Sequence, residues 1–278
     1  MTTTTMTKDQ TQLDLAAVKA RQQATWSAGD FSVIGGMQVI VSELLCEAVD
    51  LRASQRVLDV ATGSGNTALA AARRNCEVTG IDYVPALLER ARERAAAERL
   101  PAAFKDGDAE AIPCPDAAYD AVLSTFGVMF APHQEQAARE LLRACKSGGR
   151  IGLANWTPAG FTGQMFLTIS KYVPPPSGVP SPMLWGTEAR LHDLFGDTIQ
   201  TLEITRRNFV FRYRSAEHFI ETFRTYFGPM NKAFATLDTT RQTELTNDLT
   251  ALLGQFNRSG DATLAIPSEY LEVVASKW

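Results

Sequence analysis

The chain has 278 residues, with 27 Lys and Arg against 31 Asp and Glu, for a formal net charge of −4. Hydrophobic residues make up 45% and charged residues 21%, which excludes collagenous, low-complexity and wholly disordered chains. The mild acidity also argues against a nucleic-acid reader, whose surface usually carries a basic face.

Residues 1–12, MTTTTMTKDQTQ, are polar and Thr-rich and predict a disordered tail with no apolar core for a signal peptide. No uninterrupted apolar run is long enough to span a membrane, so a cytoplasmic location is expected. Cys46, Cys76, Cys114 and Cys145 lie far apart without a CxxC pair. They are expected as free thiols, with no metal. Residues 13–50 predict an N-terminal helical segment, with one helix over 13–28, a break at Gly29-Asp30, and a second helix over 36–49. Strands and helices then alternate through 51–156. Strands are predicted over 56–60, 77–82, 102–105, 119–124 and 150–155, and helices over 66–73, 85–99 and 134–145. Ser147-Gly148-Gly149 reads as the turn closing the last of these helices. Such alternation predicts βαβ units and a parallel sheet. From 157 to 200 the pattern changes to a helix over 162–172, a Pro-rich loop, and a short helix capped by Thr187. Residues 201–278 predict strands over 202–213 and 270–275, joined by a helical insertion at 215–258 with one helix over 215–237 and another over 239–256.

Val57 to Asn66 is the most informative segment. A buried strand feeds a turn containing Gly63 and Gly65, and the turn opens a helix. The glycines let the backbone curve and let a ligand approach closely, and the free N–H groups at the helix start suit a carboxylate or phosphate. Asp82 ends the next strand, twenty-three residues after Asp59. An acid there can accept both hydroxyls of a ribose. NAD and S-adenosylmethionine (SAM) both fit a glycine turn with this acid. Asp59, at the end of the first strand, would repel a pyrophosphate but attract the ammonium of an amino-acid cofactor, and SAM carries that ammonium.

Residues 56–156 resemble the core of the class I SAM-dependent methyltransferases. They are most similar to the type 11 group that includes the ubiquinone and menaquinone biosynthesis enzymes. The stretches carrying the resemblance are VLDVATGSG (57–65), GIDYVPALLERA (80–91), DGDAEAIPCPDAAYDAV (106–122), STFGVMF (124–130) and LLRACKSGGRIGLANW (141–156). The resemblance implies a Rossmann-like α/β fold: a seven-stranded, mostly parallel sheet with one antiparallel edge strand, plus a helical N-terminal lid at 13–50 and cap insertions, the first at 157–200. It implies that Asp59, Ala61, Gly63 and Gly65 cradle the methionine part of SAM. It places Asp82 on the ribose, Tyr83 by the adenine, and Asp108 on the adenine amino group with Ala109 and Glu110 beside it. Ser124, Thr125 and Phe126 border the sulfonium. Two residues depart from the pattern: Ala61 replaces the first glycine of the loop, and Cys114 stands where Phe is common.

Methyl transfer from a sulfonium is an in-line displacement that needs alignment and exclusion of water, with a base only where the acceptor must lose a proton. His133, just past the STFGVMF segment, is the one weak candidate for such a base. Trp26, Phe31, Met129, Phe130, Trp156 and Trp185 are candidates for the acceptor pocket, and an aromatic face also stabilises a sulfonium. The expected reaction gives S-adenosylhomocysteine (SAH) and a methylated small molecule, the acceptor being apolar or aromatic. The alternatives are an NAD(P)-dependent oxidoreductase and a non-catalytic SAM-binding protein. The assembly is expected to be a monomer or homodimer.

Overall fold

The computed structural model describes residues 14–278; the tail expected at 1–12 and the first residue of the predicted lid lie outside the described residues. The described residues begin with three helices, α1 (Leu15–Trp26), α2 (Phe31–Gly36) and α3 (Val39–Ala48). The alternating core follows as β1 (Arg56–Val60), α4 (Asn66–Arg73), β2 (Glu77–Asp82), α5 (Pro85–Glu98), β3 (Ala102–Asp106), β4 (Tyr119–Thr125), α6 (Gln134–Ala144) and β5 (Cys145–Trp156). The remainder is α7 (Phe161–Ser170), α8 (Glu188–Phe195), β6 (Ile199–Tyr213), α9 (Ala216–Tyr226), α10 (Gly228–Thr236), α11 (Thr239–Phe256) and β7 (Leu264–Lys277).

The seven strands form one sheet in the order β3-β2-β1-β4-β5-β7-β6. The pairs from β3 to β5 are parallel, and β7 runs antiparallel to both β5 and β6. The expected mostly parallel sheet with one reversed strand is therefore present. The reversed strand is β7, one place in from the edge that β6 occupies. Central strand β1 buries Val57, Leu58 and Val60 on both faces, as a strand covered by helices on either side must.

Several boundaries differ from the sequence expectation. The helix expected over 36–49 is split into α2 and α3 around Met37 and Gln38. The turn expected at 147–149 lies inside β5, whose pairing with β4 shifts register between Tyr119 and Ala121. The helix expected over 215–237 breaks at Phe227, because Gly228 and Pro229 open a new helix and Pro has no N–H to continue the old one. Strands β6 and β7 are longer than expected, since they pair with each other from Ile199↔Lys277 to Tyr213↔Leu264.

That register positions the rest. Strand β6 ends level with the start of β7, so α9 to α11 leave and return at the carboxyl edge of the parallel strands. There they meet the α1–α2 turn. A Cβ on Gly29 would lie 2.7 Å from the Tyr226 carbonyl oxygen, and one on Gly228 would lie 2.1 Å from the Thr25 carbonyl oxygen. Only glycine permits these two turns to interlock. Residues 157–200, by contrast, run from the carboxyl end of β5 to the start of β6. Their buried residues Phe161, Met165, Trp185 and Phe195 join the main apolar core.

Candidate active site

A cavity of about 340 Å³ opens where the turn after β1 meets the ends of β2 and β4 and the inner faces of α1 to α3. The turn itself is left-handed at three points: Ala61 (φ +54°), Gly63 (+53°) and Gly65 (+86°). Gly65 precedes α4, and a Cβ there would lie 3.1 Å from the Ala91 methyl and 3.3 Å from the Phe104 ring. Its role is to let α4 pack close to α5 and β3; it does not line the cavity. Ala61 and Gly63 do.

Three carboxylates stand on the wall, and two of them, Asp59 and Asp82, have no Lys or Arg partner among the described residues. Asp59 is 1% exposed and accepts from the Thr62 hydroxyl and, at 2.9 Å, from the Ala68 N–H. Burial pushes its pKa up to about 7. Asp82 accepts from the Gly63 N–H at 2.8 Å and the Val84 N–H at 2.9 Å, and burial raises it to about 6. Burying a carboxylate without a cation is unfavourable. Two of them facing one cavity mark a site shaped for a cationic and hydroxyl-bearing ligand, and one hostile to a pyrophosphate.

The half-buried Tyr83 and Ala109 line the cavity beside Asp108. Asp108 receives Lys19 Nζ at 2.6 Å. Glu110, expected beside it, is buried and lies off the wall. Its oxygens take Lys19 Nζ at 2.6 Å and the His133 N–H at 2.7 Å. Ser124 is likewise off the wall: its hydroxyl donates to the Val60 carbonyl at 2.7 Å and accepts the Val128 N–H at 3.0 Å, tying β4 to β1. Thr125 and Phe126 face the cavity. Phe126 is held at φ +57°, a strained value for a large side chain, with its ring stacked 3.7 Å from Trp156.

The candidates for an acceptor pocket separate into two groups. Trp26, Phe31 and Phe130 line the cavity, with Trp26 packed edge-on to Phe31 at 5.5 Å and Phe130 at 4.9 Å. Trp156 stands behind Phe126 as a second layer, Met129 is fully buried in the core, and Trp185 packs on Phe195 away from the cavity. His133 is also outside: it is the N-cap of α6, where its Nδ1 accepts the Gln136 N–H. Cys114 is half-buried against the core.

Of the inner wall from α1 to α3, sequence reasoning named Trp26 and Phe31 and missed the polar residues. Lys19, Gln23, Gly35, Gln38 and Ser42 all line the cavity, and the Gln23 amide donates to the Tyr83 carbonyl. The available signal was the spacing of Gly35, Gln38 and Ser42, which puts small and polar residues on one face of an otherwise apolar helical stretch.

Residues 57–149 match a family model described as a methyltransferase domain. A protein of Mycobacterium tuberculosis of uncharacterised function is 35% identical over 277 residues, covering 98% of this chain and 100% of that one. The demethylmenaquinone methyltransferase of Deinococcus radiodurans is 38% identical over 128 residues, covering 45% of this chain and 53% of that protein. The crystal structure of the YcgJ protein from Bacillus subtilis shares the fold with a TM-score of 0.60 at 19% identity, over 85% of this chain and 97% of that one. With the glycine turn, the two uncompensated wall carboxylates and the reversed β7 in place, these matches show the chain to be an enzyme of the class I SAM-dependent methyltransferase family.

Proposed function

We propose that the enzyme methylates a small apolar or aromatic acceptor by in-line displacement and releases SAH. The observation that carries this reading is the pairing of two uncompensated carboxylates, Asp59 and Asp82, with an aromatic end made by Trp26, Phe31, Phe126 and Phe130 on the same cavity. When bound, SAM supplies an electrophilic methyl carbon on a cationic sulfur. Asp59 holds the ammonium, Asp82 the ribose hydroxyls, and Asp108 with Ala109 the adenine edge, while Tyr83 covers the adenine face. Ala61 and Gly63 let the backbone come close to the methionine chain. Thr125 and Phe126 border the sulfur, and the aromatic group excludes water and aligns the acceptor. Alignment of this kind is worth roughly 7–11 kcal/mol.

Among the described residues, the aromatic end carries no imidazole or carboxylate. The acceptor therefore enters as a ready nucleophile, a neutral amine or an already ionised phenol or thiol, any remaining proton is lost after the product leaves the cavity, and His133 takes no part. Helices α1 to α3 act as the lid over 13–50: Lys19 and Gln23 fasten α1 across the adenine end. No helix among the described residues is long and apolar enough to cross a membrane, and we place the reaction in the cytoplasm with no nucleic-acid partner. A screen for SAH release across phenols, thiols and amines tests the acceptor class. Asp82→Ala should weaken SAM binding strongly; unchanged affinity refutes its ribose role.

A further inference from the structure

The methionine end of the proposed cofactor has to place a carboxylate, yet among the described residues no Lys or Arg lines the cavity there: Arg94 is off the wall, its Nη1 donating to the Ser64 carbonyl and to Asn66 Oδ1 at 2.7 Å each. Lys19, the one Lys or Arg among the described residues that lines the cavity, is at the opposite end, on Asp108 and Glu110. Neutral donors must do this work. The start of α4 supplies the first: the N–H groups of Asn66 and Thr67 have no acceptor among the described residues, while that of Ala68 is taken by Asp59.

The second is Gln38. It is 7% exposed, it lines the cavity, and its side-chain amide has no hydrogen-bond partner among the described residues. Nor is it an orphan sealed away from solvent-accessible space, so the amide faces the cavity. Its height is set by its neighbours in α2 and α3 on either side. Three residues before it, the Gly35 carbonyl accepts from the Asn66 amide at 2.7 Å. Four residues after it, the Ser42 hydroxyl lies 3.0 Å from that of Thr67. Gln38 is thereby held opposite the first turn of α4.

The third donor follows from counting protons. Thr67 gives its only hydroxyl proton to Thr125 at 2.8 Å, so Ser42 donates to Thr67, and the Thr125 proton stays free beside the cavity.

We propose that Gln38, with the Thr125 hydroxyl and the first N–H groups of α4, forms a clamp of neutral donors for the carboxylate of the cofactor's methionine moiety. Gln38 is then a cofactor-selecting residue supplied by the N-terminal helices. The proposal rests on the SAM reading above, and its test separates the two. Calorimetry on the full chain compares SAH with its decarboxylated analogue, 5′-deoxy-5′-(3-aminopropylthio)adenosine, which keeps the amine and lacks the carboxylate. Gln38→Leu should weaken SAH about tenfold or more, the worth of a hydrogen bond to a charged group, and leave the analogue within about twofold. Gln38→Glu, nearly isosteric, should weaken SAH further and tighten the analogue, a change of sign that a structural role would not produce. Equal losses for both ligands, or no loss for SAH, overturn the assignment while the SAM reading stands. A wild-type chain that binds neither ligand overturns both.

Discussion

Lowering the pH from 7.5 to 6 should weaken SAH binding to the wild-type enzyme by an order of magnitude. The perturbation acts on Asp59, whose carboxyl sits at about 7 in the free chain because burial penalises its charged form. The ligand's ammonium needs that carboxylate ionised. A group with this pKa is roughly three-quarters ionised at pH 7.5 and roughly one-tenth ionised at pH 6, a loss of about eightfold in affinity. Asp82, at about 6, is half protonated at the lower pH and adds about a factor of two. The sign is fixed by linkage: the ligand's charge favours the ionised carboxylate, so binding lowers the pKa and releases protons. Calorimetry in buffers of different ionisation enthalpy should show release near one proton at pH 6.5, and Asp59→Asn should flatten the profile. Affinity independent of pH over this range, or proton uptake on binding, would refute the reasoning.

Replacing His133 by Ala should cost about 1 kcal/mol through loss of the α6 cap, with turnover within twofold of wild type; a tenfold fall in kcat at unchanged stability would restore it as a catalytic residue. Gly65→Ala should lower the denaturation free energy by about 2 kcal/mol or more, because the residue sits at φ +86° with Ala91 3.1 Å from the new Cβ; an unchanged urea midpoint would contradict this. Trp185→Ala should destabilise the chain by about 3–5 kcal/mol as a core cavity mutant, and any folded fraction should keep its KM for the acceptor; a raised KM at full stability would return Trp185 to the acceptor pocket.

How far the site was legible in the sequence depended on whether a feature was local. The turn after β1 could be read because strand, glycines and helix follow one another within ten residues, and because Asp82 lies at the end of an adjacent parallel strand in register with β1. Glu110 and Ser124 could not be told from their neighbours. Ala109 and Thr125 turn to the cavity, whereas the adjacent Glu110 and Ser124 turn inward, to His133 in one case and to Val60 in the other. Trp156 ends β5 and Trp185 lies in a short 3₁₀ turn over Pro182–Gly186, and only packing separates a ring that backs Phe126 from one lost in the core. The wall made by Lys19, Gln23 and Gln38 comes from helices distant in sequence from the glycine turn. Its position depends on the Gly29 and Gly228 contacts with the far end of the chain. The extended β7 was obscured by Pro267 and Ser268, which resemble turn residues and yet pair with Val210 and Phe209 of β6.

The central claim is that Asp59 and Asp82 make this cavity a site for SAM. Titration calorimetry of the full chain with SAH and with NAD at pH 7.5 tests it most directly. SAH should bind and NAD should not, and Asp59→Asn and Asp82→Ala should each weaken SAH. Binding of NAD without SAH, or SAH binding indifferent to both substitutions, would contradict it.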